Sequence, residues 1–170
     1  GKDTKKLSSI INDDKVYVAG LELGIETNTL DPEGEIIIEK TVPVLAKDKI
    51  KTVLGSFLGE SLQVPPMFSA KRINGQRLYK LARRNIKIKR EPIKINISDI
   101  ALIDYKENII TFSVRCSKGT YIRVLGKDIA EKLNTVGYLT SLKRTNVGQF
   151  SIKDSIKMKS FEAEWKSLET

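Results

Sequence analysis

Ile110, Phe112 and Val114 occupy every second position of Ile109–Cys116 (IITFSVRC), with Arg115 on the other side, and a few residues later the period changes. Ile122, Leu125, Ile129 and Leu133 then recur at helical spacing through 120–133 (TYIRVLGKDIAEKL). A period of two lines one face of a strand, and a period near 3.6 lines one stripe of a helix. The chain must therefore lay a helix back on a sheet at this point. Elsewhere the periods mix without a regular strand–helix–strand repeat. Extended patterns cover 15–24, 35–42, 68–73, 86–90, 93–97 and 141–150, and helical ones 47–60, 76–84 and 161–168. Leu30-Asp31-Pro32-Glu33-Gly34 reads as a turn between two strands that pair as a hairpin, and Asn74-Gly75 as a second turn. Val64-Pro65-Pro66 forbids helix where it stands. The fold class expected is α+β, with a mixed, largely antiparallel sheet flanked by helices. No repeat, low-complexity tract or linker divides 1–170, so one domain is expected.

Hydrophobic residues make up 40% of the chain, enough for a core. No apolar run approaches the roughly 18–20 residues of a membrane span. The Lys-rich Gly1–Ser9 is not followed by the apolar core of a signal peptide, so a cytoplasmic location is expected. The single cysteine, Cys116, excludes an internal disulfide framework and a multi-cysteine zinc site. The absence of histidine excludes histidine triads and histidine metal sites, and leaves proton transfer to carboxylates, Tyr, Lys or water. Lys+Arg is 30 against Asp+Glu 21, a net charge of +9. That favours a polyanion, nucleic acid above all, although abundant Lys and Ile also follow from a coding bias.

Three stretches carry a resemblance. The first is Lys15-Val16-Tyr17, then Leu23-Gly24 and Thr27-x-Thr29-x-Asp31-x-x-Gly34. The second is Pro65-Pro66-Met67-Phe68-Ser69-Ala70-Lys71, with Asn74-Gly75, Tyr79 and Ala82-Arg83 downstream. The third is Cys116-Ser117-Lys118-Gly119-Thr120-Tyr121-Ile122-Arg123, followed by Leu142-x-Arg144. In this order and spacing the chain, from Gly1 to about residue 155, resembles the TruB family of tRNA pseudouridine synthases in its bacterial form.

The resemblance implies isomerisation of one uridine of the tRNA T-loop, with no cofactor and no metal. The glycosidic bond is broken, the base is rotated and rejoined through carbon, and the target base is first flipped out of its stack. By the same resemblance Tyr17 stacks on the flipped base and is a candidate for removing the C5 proton. Read alone, it would be an ordinary strand tyrosine. Arg123 matches the arginine that pairs with the catalytic carboxylate, a task suited to a rigid guanidinium fork. Tyr121 lines the same pocket, and Leu142 is an apolar residue across the base, a position equally compatible with core packing. Residues 64–92 match the mobile insert that closes over the T-loop. Lys71, Arg72, Arg77, Lys80, Arg83, Arg84, Lys87, Lys89 and Arg90 lie there with no acidic residue among them, which argues for an anion partner rather than salt-bridge lacing. Lys118 and Arg144 join this RNA-binding set.

The resemblance also has a gap. The family's nucleophile is an aspartate in a Gly-x-Leu-Asp-Pro loop upstream of the Lys-x-Tyr strand, ahead of this chain. Leu30-Asp31-Pro32 imitates that loop but follows Lys15-x-Tyr17, so Asp31 is assigned to a turn. The chain is thus expected to be a partial catalytic domain, inactive alone, without the C-terminal appendage of many members, and prone to self-association through uncovered sheet edges. The competing readings are a non-catalytic basic RNA-binding module and a ribosomal-type structural protein.

Overall fold

A computed structural model describes residues 13–73 and 75–167. Gly1–Ser9, Asn74 and Leu168, which enter the expectations above, lie outside them. The main sheet has six strands in the order β10-β9-β1-β8-β7-β4, and every neighbouring pair is antiparallel. They are β1 (Lys15–Leu23), β4 (Gly59–Gln63), β7 (Ile93–Lys106), β8 (Ile109–Cys116), β9 (Gly137–Val147) and β10 (Phe150–Ser151). Two small ribbons, β2–β3 (Ile25–Thr27, Ile36–Glu39) and β5–β6 (Arg72–Ile73, Gln76–Arg77), stand beside it. Among the described residues the α-helices are α1 (Lys47–Gly55), α2 (Leu78–Ala82), α3 (Ile122–Lys132) and α4 (Met158–Ser167).

The core lies between one face of the sheet and α1 and α3. Ala19, Leu21 and Leu23 of β1 meet Ile110, Phe112 and Val114 of β8, with Ile50, Val53 and Leu54 of α1 and Ile122, Leu125 and Ile129 of α3 above them. Each fully buried side chain of this size contributes about 1.5–3 kcal/mol. Gly126 sets how close α3 comes, because a Cβ there would stand 2.8 Å from Leu139 Cδ2 and 3.3 Å from Leu21 Cδ1.

Several expectations change. The strand at 35–42 pairs with β2, the continuation of β1 beyond Gly24, while β1 itself takes β8 and β9. The helix expected over 47–60 ends at Gly55, where Ser56 Oγ donates to Val53 O and Phe57 and Leu58 N–H make tight i−3 bonds. Gly59–Gln63, unremarkable in side chains, becomes a strand because β7 offers it a ladder. Ile86–Arg90 alternates but has no strand beside it among the described residues and stays irregular. β7 extends well beyond Ile97, through register shifts between Ile97 and Asp99 and between Leu102 and Asp104 that break its alternation. Gln63 pairs directly with Ile93, so residues 64–92 leave the sheet and return at one point.

Candidate active site

The turn between β2 and β3 is built by side chains that answer its backbone. Thr27 Oγ1 donates to Asp31 O (2.8 Å) and accepts from Asp31 N–H (3.1 Å). Asn28 Oδ1 accepts from Glu35 N–H (3.2 Å). Asp31 Oδ1 accepts from the Thr29 hydroxyl (2.6 Å) and Glu33 N–H (3.2 Å). Leu30 sits at φ 62°, and its carbonyl accepts from Leu139 N–H of β9 (3.1 Å), which ties the turn to the main sheet. Gly34 is required by space: a Cβ would lie 2.3 Å from Thr29 Oγ1 and 2.9 Å from Thr29 N.

That geometry leaves Asp31 Oδ2 pointing at α3. Arg123, two residues into the helix from its N-cap Tyr121, reaches across and donates through Nη1 to Asp31 Oδ2 (2.5 Å) and Thr29 O (2.9 Å). Its Nη2 donates to Phe68 O (2.6 Å) in the 64–92 excursion. Both side chains of the ion pair are 23% exposed, dry enough to strengthen the pair and open enough to meet a ligand. One guanidinium thus joins three segments remote in sequence. Helix α3 starts there because Thr120 Oγ1 donates to Ser117 O and Ser117 exchanges bonds with the Asn96 backbone, folding the Ser117–Tyr121 loop onto β7.

Above the pair lies a cleft of about 420 Å³, lined by Thr29, Asp31, Phe68, Tyr79, Tyr121 and Arg123, with Glu33, Ser69, Ala70 and Arg83 around them. The Ser69 hydroxyl is buried there and makes no hydrogen bond among the described residues. Tyr79 comes from α2, its N–H donating to Ser69 O (3.1 Å). The guanidiniums of Arg77 and Arg83 lie 6.0 and 5.6 Å from its ring centre. A hydrogen bond from Arg77, seconded by the charges of Arg77, Lys80 and Arg83, holds the Tyr79 phenol below the ordinary tyrosine range.

Of the residues singled out from sequence, Tyr121, Arg123 and Arg83 line this cleft; Tyr17 and Leu142 are not among its lining residues. Tyr17 pairs with Arg144 and Ala19 with Leu142 across β1 and β9, so Tyr17, Leu142 and Arg144 share the sheet face that carries the core. Tyr17 packs against that core, whereas Leu142, 48% exposed, stands at its rim. The basic set divides. Arg72, Arg77, Lys80 and Arg84 line a second hollow of about 640 Å³ on the excursion. Lys87 and Arg90 line a third, also about 640 Å³, between the excursion and α3. Arg90 Nη1 donates to Pro65 O (3.1 Å), Lys71 sits beside β5, and Lys89 pairs with Glu91. No His/Cys/Asp/Glu group with metal-binding geometry exists among the described residues.

Sequence reasoning placed Asp31 in a turn, where it is, and missed that the same carboxylate is the partner of Arg123. The Thr27-x-Thr29-x-Asp31-x-x-Gly34 spacing held the signal for the turn, but the ion pair spans 92 residues. Phe68 contributes a main-chain carbonyl, which no side-chain pattern announces.

The family model for TruB family pseudouridylate synthases (N terminal domain) matches residues 1–122. A tRNA pseudouridine synthase B of Hydrogenovibrio crunogenus is 45% identical over 148 residues, 87% of this chain and 49% of that protein. One of Clostridium kluyveri is 44% identical over 164 residues, 96% of this chain and 56% of that protein. The chain therefore spans about half the length of the relatives it matches. Among solved structures, that of a Cbf5-Nop10-Gar1 complex superposes with TM-score 0.71 at 22% identity, over 99% of this chain and 42% of that one. An H/ACA RNP bound to a substrate RNA containing 2'-deoxyuridine gives TM-score 0.65 at 20% identity, over 99% and 40%. These two likenesses bear on the fold, and agree with the α+β architecture and its antiparallel sheet.

Proposed function

The chain belongs to the TruB family of pseudouridylate synthases, and from that premise we propose that it is the part of a tRNA pseudouridine synthase that receives and orients a T-loop uridine. In this reading the nucleophile is an aspartate of the family's Gly-x-Leu-Asp-Pro loop, which Arg123 receives. The observation that carries the reading is Arg123, held at the floor of a cleft by Asp31, Thr29 O and Phe68 O. A guanidinium fixed this way keeps further donors for a second carboxylate and holds that carboxylate ionised, as a nucleophile at the sugar must be.

The neighbouring residues suit a flipped base. Tyr121 and Tyr79 give aromatic surface in place of lost stacking, and the Ser69 hydroxyl, without a partner among the described residues, offers a polar contact to a base edge. Tyr17, packed against the core, and Leu142, at its rim on the same sheet face, are assigned to flank the ring beyond the cleft lining, with the Tyr17 phenol as the group that moves the C5 proton. Residues 64–92 are the RNA-binding insert. Their cations, with Lys118 and Arg144, meet backbone phosphates, where number of charges matters more than identity.

The test is tritium release from T-arm RNA labelled at uridine C5, by this chain alone and with the upstream segment of its parent supplied. Release only with the upstream segment is expected. Arg123→Ala should then abolish release while T-arm affinity stays within about twofold. Silence in both cases with RNA still bound would replace the isomerase by a binding module.

A further inference from the structure

We infer that Gln63 is a positioning residue: its carboxamide holds the first turn of α3, and with it Tyr121 and Arg123, to the root of the 64–92 excursion. The inference rests on the isomerase reading for its catalytic consequence, but its geometry stands independently. Gln63 is the last residue of β4 and only 4% exposed. Its Oε1 accepts from Tyr121 N–H (2.8 Å) and its Nε2 donates to Tyr121 O (3.2 Å), so one side chain reads both backbone groups of one residue 58 positions away. Tyr121 is the N-cap of α3, and its own side chain makes no capping bond. The amide of a strand end thus stands in for a helix cap.

A buried amide is costly unless both ends are bonded, and an apolar side chain of the same size would sit in this place more cheaply. What the amide adds is a fixed position for the helix start. Five residues further along the same strand exit, Phe68 O takes Arg123 Nη2 (2.6 Å). The segment between them carries Pro65-Pro66, whose rings fix φ and stiffen it. From the returning side, Arg90 Nη1 closes the root on Pro65 O. The excursion therefore grips the start of α3 at two points, Tyr121 and Arg123, through a stiff arm. A displacement of the excursion is carried to the arginine instead of being absorbed in a loop. Gln63 is absent from the lining of the cleft, so its loss acts through Tyr121 and Arg123 and not on bound RNA.

The experiment uses the full-length enzyme with Gln63→Leu and Gln63→Glu. Gln63→Leu should lower kcat about 10²-fold, the effect of a misplacement on the scale of an ångström, with T-arm RNA affinity within about twofold of wild type. Hydrogen exchange of the Tyr121 amide should accelerate. Gln63→Glu separates positioning from mere packing. Protonated, its carboxyl reproduces the amide, donating to Tyr121 O and accepting from Tyr121 N–H. Ionised, it faces a carbonyl with no proton to give. Its rate relative to wild type should therefore approach unity at acid pH and fall as pH rises. A Gln63→Leu enzyme at the wild-type rate, an unchanged Tyr121 amide, or a flat relative rate for Gln63→Glu would each overturn the assignment. If the wild-type enzyme itself releases no tritium, the isomerase reading falls separately, and Tyr121 exchange still decides whether Gln63 holds the helix start.

Discussion

Asp31 uses its two carboxylate oxygens for different purposes: Oδ1 folds its own turn through Thr29 and Glu33, and Oδ2 holds Arg123. A lysine in place of Arg123 has no planar fork with which to meet Asp31, Thr29 O and Phe68 O together. Further along α3, Asp128 lies half-buried in the hollow beneath the excursion. Burial, seconded by the Glu131 charge and opposed by Lys127 and Lys132, pushes its carboxyl up from 3.8 to about 6. Because the folded value is the higher one, the neutral carboxyl's contribution to stability is complete below about pH 4 and is lost as pH rises through about 6. Asp128→Asn removes the ionisation. It should stabilise the protein at pH 7.5 by about 1 kcal/mol, a figure discounted for solvent access, or about 2–4 °C in Tm. The advantage should vanish at pH 4. Thermal melts of both proteins across this range check the sign: equal melting at pH 7.5 would show that Asp128 is paired or solvated there.

At the scale of elements, the β2–β3 turn determines where two of the three Arg123 acceptors stand, Asp31 and Thr29 O. Gly34→Ala drives a methyl group into Thr29, whose hydroxyl can turn aside but whose backbone N cannot. We expect a loss of about 1–3 kcal/mol in urea unfolding. On the proposed function the rate of the full-length protein should fall more than RNA affinity, because the turn positions Arg123 while the cations of 64–92 are assigned most of the binding charge. A variant that binds and turns over normally would show that the turn relaxes without moving Asp31. Helix α3 was legible beforehand, since Ile122, Leu125 and Ile129 follow the stripe that the core buries. β4 was not, because Gly59–Gln63 lacks strand-forming side chains and owes its conformation to β7. Ile86–Arg90 shows the converse: alternation without a partner strand makes no strand.

For the whole molecule, the net charge of +9 is unevenly used. Arg72, Arg77, Lys80 and Arg84 gather around one hollow on the excursion, with no ion pair to a carboxylate among the described residues for any of them. The cleft over Arg123 instead keeps its charge balanced by Asp31. On the proposed function binding and chemistry are separated in space, and salt should separate them in experiment. Replacing Lys80 and Arg84 together by Gln should reduce the slope of log affinity against log salt by about 1–2, since each phosphate no longer neutralised is worth roughly 0.7–0.9 of slope. The single-turnover rate at saturating RNA should stay within about twofold. A full rate loss with an unchanged slope would place these cations in the chemistry.

The amino-acid order by itself determined the family, the α+β class, the helix that carries Arg123 and the basic 64–92 stretch. These depend on local periodicity, composition and short motifs, which the chain carries in adjacent residues. Only the tertiary structure decided that Asp31 answers Arg123, that Phe68 lends a carbonyl, and that Gln63 caps a helix from the end of a strand. Those interactions join positions 55 to 92 residues apart, and several end on main-chain atoms that every residue possesses. Their selectivity comes from where the sheet brings the backbone, and one-dimensional order does not record it.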